Sequence, residues 1–286
     1  MCRNMNQTNN QLSPAVASSR KRTCLKSFAL YATILGVTFA AANGTFAQVN
    51  GYFTNPRVFN DIPGSTLLIT PTAPINANPA TITINDQYAG GASSGANRSD
   101  VLASSDGGAT AHIFGIDDSF VFTTTLTLTD GNNSPRKEAG IRFNSSIGDM
   151  LFLVNSDAGE IVAFGGPFFL FGNNGGGNGY TPGTSITLGV TEIGGGDGVG
   201  GVANTIEFFI DRGAGIETSG PLPWTNLEGG LPTFTVGVYA QGGNADGDFI
   251  NALFTDTTFS TVVPEPGTFA LVGMGLVGLV ALRRKR

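Results

Sequence analysis

The chain has 286 residues, 42 of them glycine, with two cysteines, one histidine and a formal charge of −6. The charge is unevenly spread: residues 48–262 hold six of the Lys and Arg and all but one of the 21 acidic groups, which puts this stretch near −14 and excludes nucleic acid and anionic membrane surfaces as natural partners. Both cysteines, Cys2 and Cys24, precede this stretch, so a disulfide framework, a thiol nucleophile and a Cys-based metal site are excluded from it.

At the N-terminal end Arg20, Lys21, Arg22 and Lys26 form a basic block, followed by an apolar run from Phe28 to Ala42 that only Thr33, Gly36 and Thr38 interrupt. Basic-then-apolar is the order of a secretory signal, and the run is shorter than the ~20 residues a permanent span prefers. Small residues close it. Cleavage by signal peptidase is expected between Ala47 and Gln48, where a polar segment begins, with a second site after Ala42 as the alternative. Residues 1–47 are thus read as a signal peptide with a short apolar helix. Residues 48–262 form one domain of about 215 residues, long enough to bury a core without covalent staples.

Within that domain glycine is about twice its usual ~7% share, charges are few, and no helical periodicity competes with period-two patterning. Strands are expected at 67–70, 80–84, 120–129, 140–143, 150–154, 160–164, 185–190, 205–212, 234–240 and 252–260. The clearest is 120–129, where Phe120, Phe122, Leu126 and Leu128 share one face and threonines line the other. Ile206, Phe208 and Ile210 oppose Glu207 and Asp211 in the same manner, and Phe234, Val236, Val238 and Ala240 align. Glycine tracts at 172–179 and 194–201 read as loops. So many short strands define an all-β, two-sheet antiparallel β-sandwich. From 120 onward their order, with the Tyr-x-x-Gly turn at Tyr180 to Gly183 opening a strand, resembles the concanavalin-like, laminin-G-like jelly rolls. That resemblance implies a jelly roll over 120–262.

Candidate chemistry within the domain is sparse. His112 is the only histidine, lacks a Gly-x-Ser-x-Gly partner, and sits between Ala111 and Ile113 in an apparent strand, so it is read as structural. Glu207 and Asp211 share a strand face about 13 Å apart, too far for the ~5 Å pair of a retaining glycosidase. Asp117, Asp118, Asp130 with Asn132, Asp197, Asp246 and Asp248 lie in Gly/Asn-rich loops where weak extracellular calcium binding is conceivable, although none fits a calcium-loop pattern. Otherwise no cofactor is expected. Trp224, with Pro221, Pro223 and Tyr239, is a candidate sugar-stacking platform set against a plain core role.

The last residues combine three elements: Pro264-Glu265-Pro266, an apolar run over 268–282, and the basic cluster Arg283, Arg284, Lys285 and Arg286. The prolines fix φ and hold Glu265 in an extended, accessible peptide. Some 15 helical residues at about 1.5 Å each fall short of a bilayer core of about 30 Å, which suits a transient membrane helix. The basic cluster stays cytoplasmic by the positive-inside rule, as does the N-terminal block, so the domain between them lies outside the membrane. This tail, 263–286, resembles the PEP-CTERM sorting signal of Gram-negative bacteria, and Ser104 to Thr110 and Arg136 to Gly140 look like blocks that recur in such proteins. The resemblance implies processing near Pro264 to Pro266 by an exosortase, often in the context of exopolysaccharide production. The expectation is an exported, exosortase-sorted protein of the cell surface or extracellular matrix. It would be non-catalytic, with polysaccharide as its candidate ligand. The alternatives are an extracellular polysaccharide hydrolase or lyase and a purely structural coat protein.

Overall fold

A computed structural model describes residues 48–72, 74–89, 95–115, 118–146, 148–172, 179–194, 204–224, 233–243 and 247–261. The described residues form two antiparallel sheets. In the first, strands run in the order β1 (Gly51–Asn60), β4 (Asn97–Ser104), β15 (Thr233–Gly242), β7 (Glu138–Asn144), β8 (Asp149–Asn155), β9 (Ile161–Phe164) and β10 (Phe169–Phe171), with β5 (Phe114–Gly115) pairing β15. The second runs β13 (Ile216–Thr218), β12 (Thr205–Asp211), β11 (Ser185–Ile193), β6 (Phe120–Asp130), β16 (Phe249–Thr261), β3 (Ala80–Gln87) and β2 (Thr66–Thr70), with β14 (Leu222–Pro223) against β12. This is the expected β-sandwich. The signal and sorting helices, with Ala47, Pro264 to Pro266 and Arg283 to Arg286, lie outside the described residues; Gln48 is exposed at their start.

Period two decides the core. Along β6 the buried positions are Phe120, Phe122, Thr124, Leu126 and Leu128, and they meet Ile141, Phe143, Phe152, Val236 and Val238 of the first sheet. Ring pairs cross the interface, with Phe120 to Phe143 at 6.1 Å and Phe152 to Phe208 at 5.1 Å between centroids. Such pairs contribute roughly 0.5–1.5 kcal/mol beyond area burial. Thr124 is the polar exception on the inward face, and Thr257 Oγ1 satisfies its hydroxyl at 2.8 Å. The Tyr180 turn also forms as expected. Its hydroxyl accepts from Leu128 N and donates to Thr184 O, both at 2.7 Å, while Gly183 takes φ 87°, a conformation open to glycine.

Two long strands, β1 and β4, and the short strands β5, β10, β13 and β14 fall outside the set expected from the sequence. Strand β1 contains Pro56, tolerated because β1 is an edge. Its register shifts between Asn55 and Phe59, and Arg57 adopts φ 60° in that bulge. There the Arg57 side chain bonds the Asp86 carboxylate of the opposite sheet at 2.5 and 3.1 Å. Strand β4 is buried along its whole length despite the sequence NRSDVLAS. His112 lies before β5 rather than in a strand.

Candidate functional site

The outer face of the first sheet is where buried charge collects. Alternation turns Val101 and Ala103 of β4 to the core and Arg98 and Asp100 outward; on β7 it turns Ile141 and Phe143 inward and Glu138 and Arg142 outward. Strand β15 lies between them. Arg142 sits opposite Gly237, and Asp100 is opposite Tyr239 two residues further along β15. Because Gly237 has no side chain, the Arg142 guanidinium crosses β15 and bonds the Asp100 carboxylate, then reaches Asp149 at 2.7 Å and Asn144 at 3.0 Å. A Cβ on Gly237 would stand 2.1 Å from Val101 O, so the glycine is required by backbone as well as by this crossing.

Arg98 extends the network. It donates to Gln241 at 2.6 Å and to Asp149 at 2.8 Å, and its guanidinium lies 4.5 Å from the centre of the Phe59 ring and 5.5 Å from that of Tyr239. Asp100 has no exposed surface. Burial pushes its carboxyl up to about 6, against the pull of Arg142 and Arg98. Burial raises Glu138 too, opposed by Arg136 and Arg98, and the Tyr239 hydroxyl faces its carboxylate at 3.4 Å.

Beside this network the same face becomes apolar and opens. Leu151, Leu153, Val162 and Tyr239 form a small cluster of their own, with Phe164 and Leu170 packed on it. Above it lies an open cleft of about 460 Å³ lined by Arg136, Glu138, Glu160, Val162, Phe164, Phe168 and Leu170. Phe168, in the β9–β10 turn, is 69% exposed. Arg136 stands 3.2 Å from Glu138 and 3.6 Å from Glu160, and Asn155 donates to Glu160 at 2.7 Å. Exposed aromatic surface beside hydrogen-bonding groups, in a cleft within the roughly 300–1,000 Å³ of ligand sites, is what a ligand with one apolar and one polar side requires.

The residues singled out in the sequence fall elsewhere. Trp224 is 2% exposed and packs against Phe143 and Phe234 in the core, whereas Tyr239 lies on the outer face, so the two do not form a platform. Glu207 and Asp211 stay separate: Glu207 accepts from Thr218, and Asp211 caps the turn by accepting from Gly213 N and Gly215 N. The carboxylates that do converge are Asp100 with Asp149, through Arg142, and Glu138 with Glu160, through Arg136. His112 meets Ser105 Oγ at 3.1 Å and the edge of Phe114, in keeping with a structural role. Of the loop acids, Asp118 accepts from Gly115 N, and Asp248 is buried against Lys137 Nζ at 2.6 Å while also accepting from Asn132 N, so its oxygens are taken. Asp117, Asp197 and Asp246 lie outside the described residues. Among the described residues, no group of three or more His, Cys, Asp or Glu side chains is placed to hold a metal ion.

Fold and site together define an antiparallel β-sandwich with a charged, partly aromatic cleft on one outer face. Beyond it, residues 262–286 match the PEP-CTERM protein-sorting motif. No curated protein matches the chain. Among solved structures it is similar to an alginate lyase from Klebsiella pneumoniae (8% identity, 76% of this chain and 97% of that one, TM-score 0.44). It is also similar to an alginate lyase from Corynebacterium sp. (12%, 74% and 95%, 0.42) and to a protein of unknown function from Shewanella oneidensis MR-1 (11%, 85% and 100%, 0.34). Likeness of this size bears on neither activity nor substrate.

Proposed function

We propose that the chain is an exported, non-catalytic protein that holds glycan in the cleft between β7, β9 and β10 and is delivered to the cell surface or matrix by its two terminal signals. The observation that carries the binding part is Phe168, which is 69% exposed above a cleft with Arg136, Glu138 and Glu160 on its rim. A large aromatic left in water at a concave site offers a stacking surface for the apolar face of a sugar ring, while the charged rim accepts and donates hydrogen bonds to hydroxyls. For delivery, signal peptidase acts between Ala47 and Gln48. An exosortase then acts on the peptide around Pro264, Glu265 and Pro266, while Arg283, Arg284, Lys285 and Arg286 hold the tail on the cytoplasmic side.

One observation favours a hydrolase or lyase instead. Asp100 and Asp149 bind one guanidinium and are therefore close together, and Asp100 is raised to about 6, in the range of a general acid. Two facts oppose that role: Asp100 has no exposed surface for a substrate to touch, and Arg142 and Arg98 neutralise the pair. Retention of the full chain, purified in detergent, on envelope polysaccharide tests the binding reading, with Phe168→Ala expected to abolish retention and leave the fold intact. Release of reducing or unsaturated ends during the same incubation would overturn the non-catalytic reading.

A further inference from the structure

Resting on the reading of the cleft as a glycan site, we infer that its ligand carries free amino groups: a partly de-acetylated hexosamine polymer rather than a uronate polymer. The charges that face the cleft decide this. Two carboxylates, Glu138 and Glu160, line it against one guanidinium, Arg136, which already stands within 3.6 Å of both. The other two cations of this face, Arg98 and Arg142, are 6% and 4% exposed and are engaged by Asp149 and Asp100. Among the described residues no exposed, unengaged cation lines the cleft, and the domain around it is near −14. A uronate polymer would bring one negative charge per sugar to this surface with nothing to receive it. Coulomb repulsion would slow its approach and weaken its docking.

An ammonium group meets the opposite situation. The Glu160 side chain is 43% exposed, and both its contacts with Asn155 and Arg136 fall on Oε2. Oε1 is the acceptor offered to a sugar ammonium. Four residues further along the chain Phe164 lines the same cleft, about 13 Å away at ~3.3 Å per residue, and the exposed Phe168 ring stands with it. That length accommodates a short run of sugar rings, with the carboxylate at one end and rings at the other. The rings take the apolar faces of the sugars and, through their negative π-faces, tolerate a neighbouring ammonium.

The test is calorimetric titration of the full chain in detergent with glucosamine, N-acetylglucosamine and mannuronate hexamers, at a pH that keeps the amines charged. Hexalysine serves as a cation without sugar rings. The expected result is glucosamine oligomer binding about fivefold more tightly than its acetylated counterpart, the upper range for an exposed ion pair, with the preference falling in raised salt. Glu160→Gln should erase that preference, the two oligomers then binding alike. Both Glu160 and Phe168 are exposed, so neither substitution threatens folding. Equal or tighter binding of mannuronate, an undiminished preference in Glu160→Gln, or hexalysine binding as well as the sugar would overturn the inference and leave the glycan reading standing. Absence of binding by all three oligosaccharides would overturn that reading, and this inference with it.

Discussion

Replacing Arg142 by Met probes the network beneath the cleft. The methionine keeps much of the side-chain length across Gly237 but removes the charge that faces Asp100, a carboxylate with no exposed surface. Stripping one partner from a buried pair costs about 3–5 kcal/mol, because the remaining charge stays desolvated and unpaired. For a domain of this size that corresponds to a fall in Tm of roughly 10 °C at neutral pH. The pH dependence identifies the cause. In the native protein the Asp100 carboxyl is raised from 3.8 to about 6. A raised carboxyl contributes stability that is fully present below its unfolded value and lost as pH rises through the folded one. This group therefore lowers stability by about 3 kcal/mol between pH ~4 and ~6 at ~1.4 kcal/mol per unit. Glu138, also raised by burial, acts with the same sign. Without Arg142 the Asp100 carboxyl rises further, so the variant's deficit should shrink as pH falls toward 4. Adding Asp100→Asn should recover most of the loss at neutral pH. Differential scanning fluorimetry over pH measures both. A double variant as unstable as Arg142→Met alone would refute the electrostatic account and leave lost packing as the cause.

Three further outcomes rest on the same geometry and on the tail. Gly237→Val places a Cβ 2.1 Å from Val101 O and blocks the crossing of Arg142, so chemical denaturation should show a loss of about 1–3 kcal/mol or more. Lys137→Met removes a buried ammonium held by Asn132 O, Pro135 O and Asp248, and leaves that carboxylate alone; a loss of about 3–5 kcal/mol in the same assay is expected, reduced when Asp248→Asn is added. Glu265→Gln should leave the sorting tail attached, so the intact mass of surface and medium protein would include the apolar run and basic cluster of 268–286, which the native chain is expected to lose; identical masses would refute a role for Glu265 in processing.

Legibility of the strands in the sequence tracks which faces are half buried. Strands β6, β12 and β15 are visible because one face is apolar and the other carries threonine, glutamate or aspartate, the period-two signature. Strand β4 gives no such signal. Its outward Arg98 and Asp100 are buried by partners 51 and 42 residues distant, and nothing local in NRSDVLAS announces that. Strand β1 is hidden by Pro56, which reads as a break unless the strand is known to be an edge. Arg142 falls within an expected strand, but its acidic partners are set by the register of β15 and β8, which is non-local. Trp224 stands out as the single tryptophan, and the core takes it for its volume. Phe168 carries only a faint local hint, an aromatic directly after the Gly165-Gly166-Pro167 turn, where Gly165 takes φ 82°.

The two outer faces of the sandwich also differ in a way that bears on which one binds. On the second sheet, short hydroxyl side chains pair across strands: Thr123 with Thr258 at 2.6 Å, Thr125 with Thr187 at 3.2 Å and Thr127 with Ser185 at 2.7 Å. Such pairs stabilise the sheet by roughly 0.2–1 kcal/mol each and leave short hydroxyl side chains along β6, β11 and β16, with Glu207 and Asp211 further out on β12. On the first sheet, long side chains lock one another through Arg98 and Arg142, beside the apolar cluster of Leu151, Leu153, Val162 and Tyr239. The ion network lies outside the lining of the cleft and its charges are buried, while the side chains of Glu160 and Phe168, the groups assigned to the ligand, stay open to water.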